Sequence, residues 1–345
     1  MSRDHFRVIR LARRPDGPPV PEDFQITIEP VPEVGPGQVL IENVGMSVDP
    51  LMRMRMGERT GAAHVPPFVL GEPLDGSAVG RVVVSRSPGF APGDVVLNSG
   101  AWQEMVLCDA GDGGWFDPLR VDAPDGLDLQ LFLGVLGVSG LTAYVGLREV
   151  ARLRADDVVY VSAAAGAVGG VATQLATAWG HRVVASAGSE EKVASARRHG
   201  AAAAFSHRDG DLVGQLGAAA PGGIDVYFDN VGGAHLEAAL EHLRPEGRVV
   251  LCGQVSSANG DLSGPRNLMR AIYQGVRLEG FMVRHHRARW GEFHAEAQRL
   301  MSEGRLSLDM TVYDGLDAAP TAMADLLAGR TVGKVSVRLD RAATS

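Results

Sequence analysis

Residues 159–180 read VYVSAAAGAVGGVATQLATAWG. A run of β-branched and aromatic residues breaks at a cluster of small ones, and a helix-forming run follows. A strand-to-helix loop can hold phosphate through G-x-G-x-x-G: the first glycine makes the turn, the second lets backbone approach a pyrophosphate, and the third lets helix and strand pack closely. Ala164, Gly166 and Gly169 occupy those places, so only the first is altered. An alanine serves there if the turn does not demand a positive φ. The amides of Gly166, Ala167, Val168 and Gly169 would then meet the anion at a helix N-terminus. The competing reading is a packing turn of small residues that binds nothing.

The neighbourhood favours a binding loop. Strand-like and helix-like runs alternate from Asp157: DVVYVSA, HRVVASAG, AAAFSH, GIDVYFDNVG, GRVVLCGQ and VRLEGFMV are strand candidates with helical segments between them. Such alternation predicts an α/β domain with a doubly wound parallel sheet of the Rossmann type. A further helix is expected over HAEAQRLMSEGRL, and the C-terminal GKVSVRLD reads as a strand that returns to the first domain. Before the alternation, Gln25 to about Leu107 is short strands punctuated by Pro and Gly, as in a compact β-barrel or sandwich. The uncharged stretch LQLFLGVLGVSGLTAYVGL, Leu129 to Leu147, carries four glycines and is read as a buried core helix rather than a membrane span.

The end of the second strand bears on the ligand. Dinucleotide sites for NAD place an acid there, on the ribose 2′-hydroxyl. Here AGSEEKV ends the strand without an acid and puts Lys192 on the opening turn of the next helix. A neutral pocket followed by a lysine suits a 2′-phosphate, so NADPH is expected in preference to NADH; the alternative is a surface lysine paired with acids on its own helix.

Composition sets outer limits. The 345 residues are enough for two domains, and 45% hydrophobic with 21% charged residues is a globular balance. A formal charge of −8 without any basic run argues against nucleic acid as a partner. Cys108 and Cys252 cannot build a disulfide framework or a four-cysteine zinc site. The N-terminus MSRDHFRVIRLARRPDG has no continuous apolar stretch, so a cytoplasmic protein without a secretory signal is expected.

With these residues placed, the chain resembles the zinc-independent medium-chain dehydrogenase/reductases, in the leukotriene B4 dehydrogenase/prostaglandin reductase and curcumin reductase group of NADPH-dependent enone reductases. SVDPLMRMRM, GLTAYVGL, VSAAAGAVGGVATQLA, AGSEEKV, DVYFDNVGG, GRVVLCGQVS, LEGFMV and GKVSVRL carry the resemblance. It implies a GroES-like β-barrel domain over 1–127 and 304–345, a Rossmann NADPH-binding domain over 128–303, and a homodimer. It also implies pyrophosphate contacts from Gly166 to Gly169, Lys192 at the 2′-phosphate, and Asn230 beside the cofactor. Cys252, Gly253 and Val255 would lie near the nicotinamide ribose, and Phe281, Met282 and Val283 along the nicotinamide. The implied reaction is hydride transfer to the β-carbon of an α,β-unsaturated ketone or aldehyde. Zinc-dependent relatives carry Gly-His-Glu near LGEPLDG, where this chain has Gly71-Glu72-Pro73, so no metal is expected.

Several family tyrosines are replaced. Leu51, His64 and His286 stand where members often have one, His207 replaces the tyrosine at the 2′-phosphate end, and Thr331 stands at the late asparagine. An imidazole can donate a hydrogen bond as a phenol does, so His64 and His286 are the candidate polar catalytic groups, with Leu51 lining the same pocket. The alternative is that both are partly exposed loop histidines. His285 and His286 sit side by side, but neighbours on an extended segment point to opposite faces, which argues against a shared metal. Two further functions stay open: a quinone oxidoreductase on the same fold, and an NADPH-binding sensor or scaffold with little catalysis.

Overall fold

A computed structural model describes residues 4–58, 60, 65–111, 113–254 and 264–339. They fall into two units, Met1–Leu133 with Met310–Thr331 and Val335–Ser345, and Gly134–Asp309 with Val332–Lys334.

In the first unit β1 (His5–Leu11) pairs antiparallel with β2 (Phe24–Pro30). A seven-stranded sheet holds β3 (Gln38–Ser47), β4 (Ala78–Ser85), β5 (Val95–Asn98), β6 (Met105–Asp109) and β7 (Leu119–Arg120), together with β14 (Met310–Asp314) and β15 (Lys334–Arg338). The C-terminal strand thus does return: Ser336 pairs with Ser47 and Val337 with Met46. Inside the unit, Trp102 stacks on Phe24 with ring centroids 5.5 Å apart, among Met46, Met52, Met56, Leu74, Val335 and Val337. The short helix α1 (Pro50–Arg55) explains the MRMRM pattern. Met52 turns into this core, as does Met56 just beyond the helix, while Arg55 lies over the Phe68 ring at 4.0 Å.

The second unit is the alternating region. Its strands are β8 (Val158–Val161), β9 (Arg182–Ala187), β10 (Ala203–Ser206), β11 (Ile224–Asp229), β12 (Leu243–Leu251) and β13 (Arg277–Gly280). All pair in parallel, in the spatial order β10-β9-β8-β11-β12-β13. That is the doubly wound order, with its reversal between β8 and β11. Helix α3 (Ala167–Ala178) is buried on nearly every side from Gly169 to Ala176, which accounts for a sequence of small and apolar residues without a polar stripe. Tyr160 on β8 stacks on Tyr227 of β11 at 4.9 Å and anchors the core beneath the sheet.

The stretch Leu129–Leu147 is not one helix. A short 3-10 turn over Leu129–Leu133 is followed by α2 (Val138–Val145), with an extended Gly137 (φ −111, ψ −158) as its cap. Its glycines break the helix rather than merely thin it. Among the described residues no helix is long and apolar enough to cross a membrane.

Candidate dinucleotide site

In an open parallel sheet a ligand lies outside the carboxyl ends of the strands, at the point where strand order reverses. The described candidates of the second unit gather on that edge. Gly166 to Gly169 follow β8, Lys192 follows β9 on α4 (Glu190–Arg198), and His207 follows β10. Asn230 follows β11, Cys252 and Gly253 follow β12, and Phe281 to Val283 follow β13. A cavity of about 390 Å³ lined by Arg148, Arg152, Arg154, Trp179 and His181 borders the amino-terminal ends of β8 and β9, at the other edge of the sheet.

The loop after β8 makes its turn at Ala163, whose φ is +48, and not at Ala164. The turn does demand the left-handed region, then, one residue before the place read from the sequence. Ala164 is fully buried, and its amide donates to the Ser186 carbonyl at 3.0 Å, pinning the loop to β9. Gly166 caps α3 without any side-chain hydrogen bond, so the first helical amides keep the orphan donors of a helix start. A Cβ on Gly169 would meet the Ala163 carbonyl oxygen at 2.3 Å, which is the close approach the third glycine permits. Gly333 closes the loop from the other side: its amide donates to the Ala165 carbonyl at 2.8 Å.

The strand-order reversal is tied across by Asn230. Its side-chain amide donates to the Ser162 carbonyl at 2.8 Å, and its backbone amide to Ser162 Oγ at 3.1 Å. Asp229 accepts from the Tyr227 hydroxyl at 2.7 Å and from the amides of Val231 and Gly232 at 2.9 and 2.7 Å. Burial still raises its pKa against those hydrogen bonds. The amides of Cys252 and Gly253 both donate to the Asp229 carbonyl. Burial and then Asp229 push the Cys252 thiol up to about 12, which fits an inert thiol rather than a redox one.

At the corner of β9 and β10, Ser189 caps α4 by accepting from the Lys192 amide. Burial and then Arg208 lower the Lys192 pKa. His207 is half-buried, with its ring edge-on to His235 at 4.9 Å. Burial and then Arg208 depress it, so before a ligand arrives it is a neutral hydrogen-bonding group rather than a charge. Arg208 and His235 were not singled out from the sequence. The signal for Arg208 was present in FSHRD, one residue past the histidine that was.

Phe281, Met282 and Val283 leave the end of β13 half-buried. The chain then does not stay extended. Val283–Arg289 forms a short 3-10 segment kinked at His286 (φ −112, ψ 21), with the His286 ring edge-on to Phe281 at 6.2 Å. His285 is exposed and His286 half-buried. In the first unit Leu51 is half-exposed on α1, and Thr331 is buried two residues before Gly333. His64 and Val255 lie outside the described residues. Among the described residues no group of three His, Cys, Asp or Glu side chains is arranged for a metal ion.

The open helix start, the close approach at Gly169 and the cations at the corner fit a phosphorylated dinucleotide. Comparison with known proteins agrees in kind. Residues 7–113 match the family described as the N-terminal domain of oxidoreductase, and residues 167–301 the one described as zinc-binding dehydrogenase. The NADPH-dependent curcumin reductase of Escherichia coli is 36% identical over 95% of this chain and 95% of its own. The chain belongs to the medium-chain dehydrogenase/reductase family. Within that family, the NADP(+)-dependent 2-alkenal reductase of Nicotiana tabacum is 36% identical over 90% of each chain. The crystal structure of CurA in complex with NADPH from Vibrio vulnificus superposes with a TM-score of 0.88 at 31% identity, over 97% of this chain and 99% of that one.

Proposed function

We propose that the protein is an NADPH-dependent oxidoreductase that reduces the carbon–carbon double bond of α,β-unsaturated ketones or aldehydes. The observation that carries this reading is the β9–β10 corner, where Lys192 and Arg208 stand in place of the acid an NAD site would have. Relatives named for this chemistry over nearly the whole chain support it.

When bound, the dinucleotide supplies a hydride to the β-carbon of the enone. The amides of Gly166 to Gly169 hold the pyrophosphate, and Lys192 with His207 the 2′-phosphate. Asn230, Cys252 and Gly253 flank the nicotinamide ribose, and Phe281 to Val283 shield the nicotinamide from water. His286 donates a hydrogen bond to the substrate's carbonyl oxygen as negative charge develops there.

The reading includes a homodimer in the cytoplasm. β13 is the last strand of its sheet among the described residues, and the helix leading into it leaves Leu268, Met269, Ile272 and Tyr273 exposed. A second copy of the chain would cover both, and light scattering on the purified protein reads it directly.

The test is NADPH and NADH consumption against alkenals, alkenones, chalcones and quinones. Turnover of alkenones with NADPH supports the proposal. Turnover of quinones alone makes the protein a quinone oxidoreductase, tight NADPH binding without turnover makes it a sensor or scaffold, and a preference for NADH overturns the reading of Lys192.

A further inference from the structure

Four side chains from three segments converge at the β9–β10 corner: Lys192 on α4, His207 and Arg208 after β10, and His235 in the first turn of α6 (Gly233–His242). A Cβ on Gly188 would lie 3.2 Å from His207 Cε1 and 3.6 Å from Arg208 Nε, so both side chains close over the residue that follows β9. His207 Nδ1 is buried and has no hydrogen-bond partner. His235, by contrast, is fastened from below. Its Nδ1 lies 3.0 Å from the Tyr160 hydroxyl, which is itself 2.8 Å from Ser186 Oγ.

We propose that Arg208 and the His207–His235 pair determine dinucleotide choice: Arg208 joins Lys192 in holding the 2′-phosphate, and His207 takes up a proton when that phosphate arrives. His235 is a positioning residue that fixes the His207 ring. The proposal rests on the reading of this corner as the 2′-phosphate site.

The charges facing His207 explain the proton. Lys192 faces it from α4, Arg208 and Asp209 from its own segment, His235 from α6 and the Ala187 carbonyl from β9. Burial, Arg208 and Lys192 hold the imidazole below its ordinary 6.5, while the Ala187 carbonyl and Asp209 oppose them. His235 is pushed down to about 3, by burial and then by His207, and so does not compete for the proton. A phosphate dianion neutralises the two cations that depress His207 and adds a charge that favours the imidazolium. The pKa of His207 is then lowered in the free protein and raised in the complex. Between those values one proton enters with the cofactor, and affinity falls by up to about tenfold per pH unit as pH rises. A phosphate monoester loses its own second proton near about pH 6, so above pH 7 that proton does not obscure the effect. NADH lacks the 2′-phosphate, and its affinity stays flat.

Titration calorimetry of the whole protein with NADPH and NADH at pH 7.2, in two buffers of different ionisation enthalpy, counts the protons. The expected result is uptake of up to one proton with NADPH and none with NADH. His207→Gln abolishes the uptake and flattens the NADPH affinity between pH 7 and 8. His235→Phe lowers the uptake and narrows the pH-dependent gap between the two dinucleotides, which a merely structural role would not do. Arg208 is on the surface, and Arg208→Gln folds normally, weakening NADPH about tenfold and leaving NADH unchanged. NADPH preference without proton uptake, or uptake that survives in His207→Gln, overturns the role of the histidine pair and leaves the cofactor reading standing. NADPH affinity unchanged in Arg208→Gln overturns the role of Arg208. Equal affinity for NADH and NADPH in the unaltered protein removes the cofactor reading itself.

Discussion

A Cβ atom on Gly169 would stand 2.3 Å from the carbonyl oxygen of Ala163, the residue that makes the turn with φ +48. Two backbone segments meet there without a side chain between them, and neither can yield cheaply. Gly169→Ala must push α3 away from the loop, at about 1–3 kcal/mol for an overpacked contact. The expected outcome is a melting temperature lower by about 3–10 °C and NADPH affinity reduced by about tenfold or more, because the helical amides move with the helix. Calorimetry and cofactor titration check both, and an unchanged affinity would show that α3 does not hold the pyrophosphate.

Asn230 acts as a latch across the strand-order reversal. In Asn230→Ala the Ser162 carbonyl loses its 2.8 Å donor within a buried environment. An unsatisfied buried acceptor costs about 1–3 kcal/mol. Thermal stability should fall, and amide exchange should accelerate in both the 162–166 and 229–233 segments. If only the second segment loosens, the latch does not couple the two loops.

The six parallel strands were legible because strand and helix periodicities alternate without interruption, and the loop after β8 because its glycines have positional meaning. What hid from the sequence was local backbone geometry. The left-handed residue is Ala163, since nothing in AAAG distinguishes one alanine from the next until the chain is folded. Leu129–Leu147 is apolar throughout, yet broken, because a buried helix and a buried broken helix share one hydropathy pattern. His285 and His286 were expected to alternate as on a strand. A 3-10 segment follows β13 instead, and no alternation of polar and apolar residues in VRHHRAR announces it. His235 was invisible for another reason: it reaches its partners Tyr160 and His207 from distant segments, and only the sheet brings them together.

Buried histidines make the fold acid-sensitive. Burial is the first cause that lowers the pKa of His199, His207, His235 and His294, with His235 brought to about 3. Each is therefore less basic folded than unfolded, and below the unfolded value near 6.5 the unfolded chain binds more protons. Stability is fully present above pH 6.5 and is lost as pH falls toward the folded values. His235 alone accounts for about 2 kcal/mol of that loss at pH 5. Melting temperatures at pH 7, 6 and 5 should decline steadily, and His235→Gln should flatten the decline. A melting temperature that does not change over that range would contradict the assignment of these groups as neutral.

His286 is the described side chain on which the proposed chemistry most depends. Its half-buried ring stands edge-on to Phe281 at 6.2 Å, within the segment that follows β13. His286→Phe keeps an aromatic ring beside Phe281 and removes the donor. Loss of one preorganised donor to a developing oxyanion costs about 10²–10³ in turnover where water is excluded. His286 is partly open to water, so a fall of about 10- to 100-fold is expected, with NADPH affinity unchanged within about twofold. His286→Gln, which retains an N–H donor, should recover part of the loss. A drop in turnover without recovery in the glutamine variant would indicate shape rather than hydrogen bonding. Unaltered turnover in the phenylalanine variant would remove His286 from the proposed chemistry.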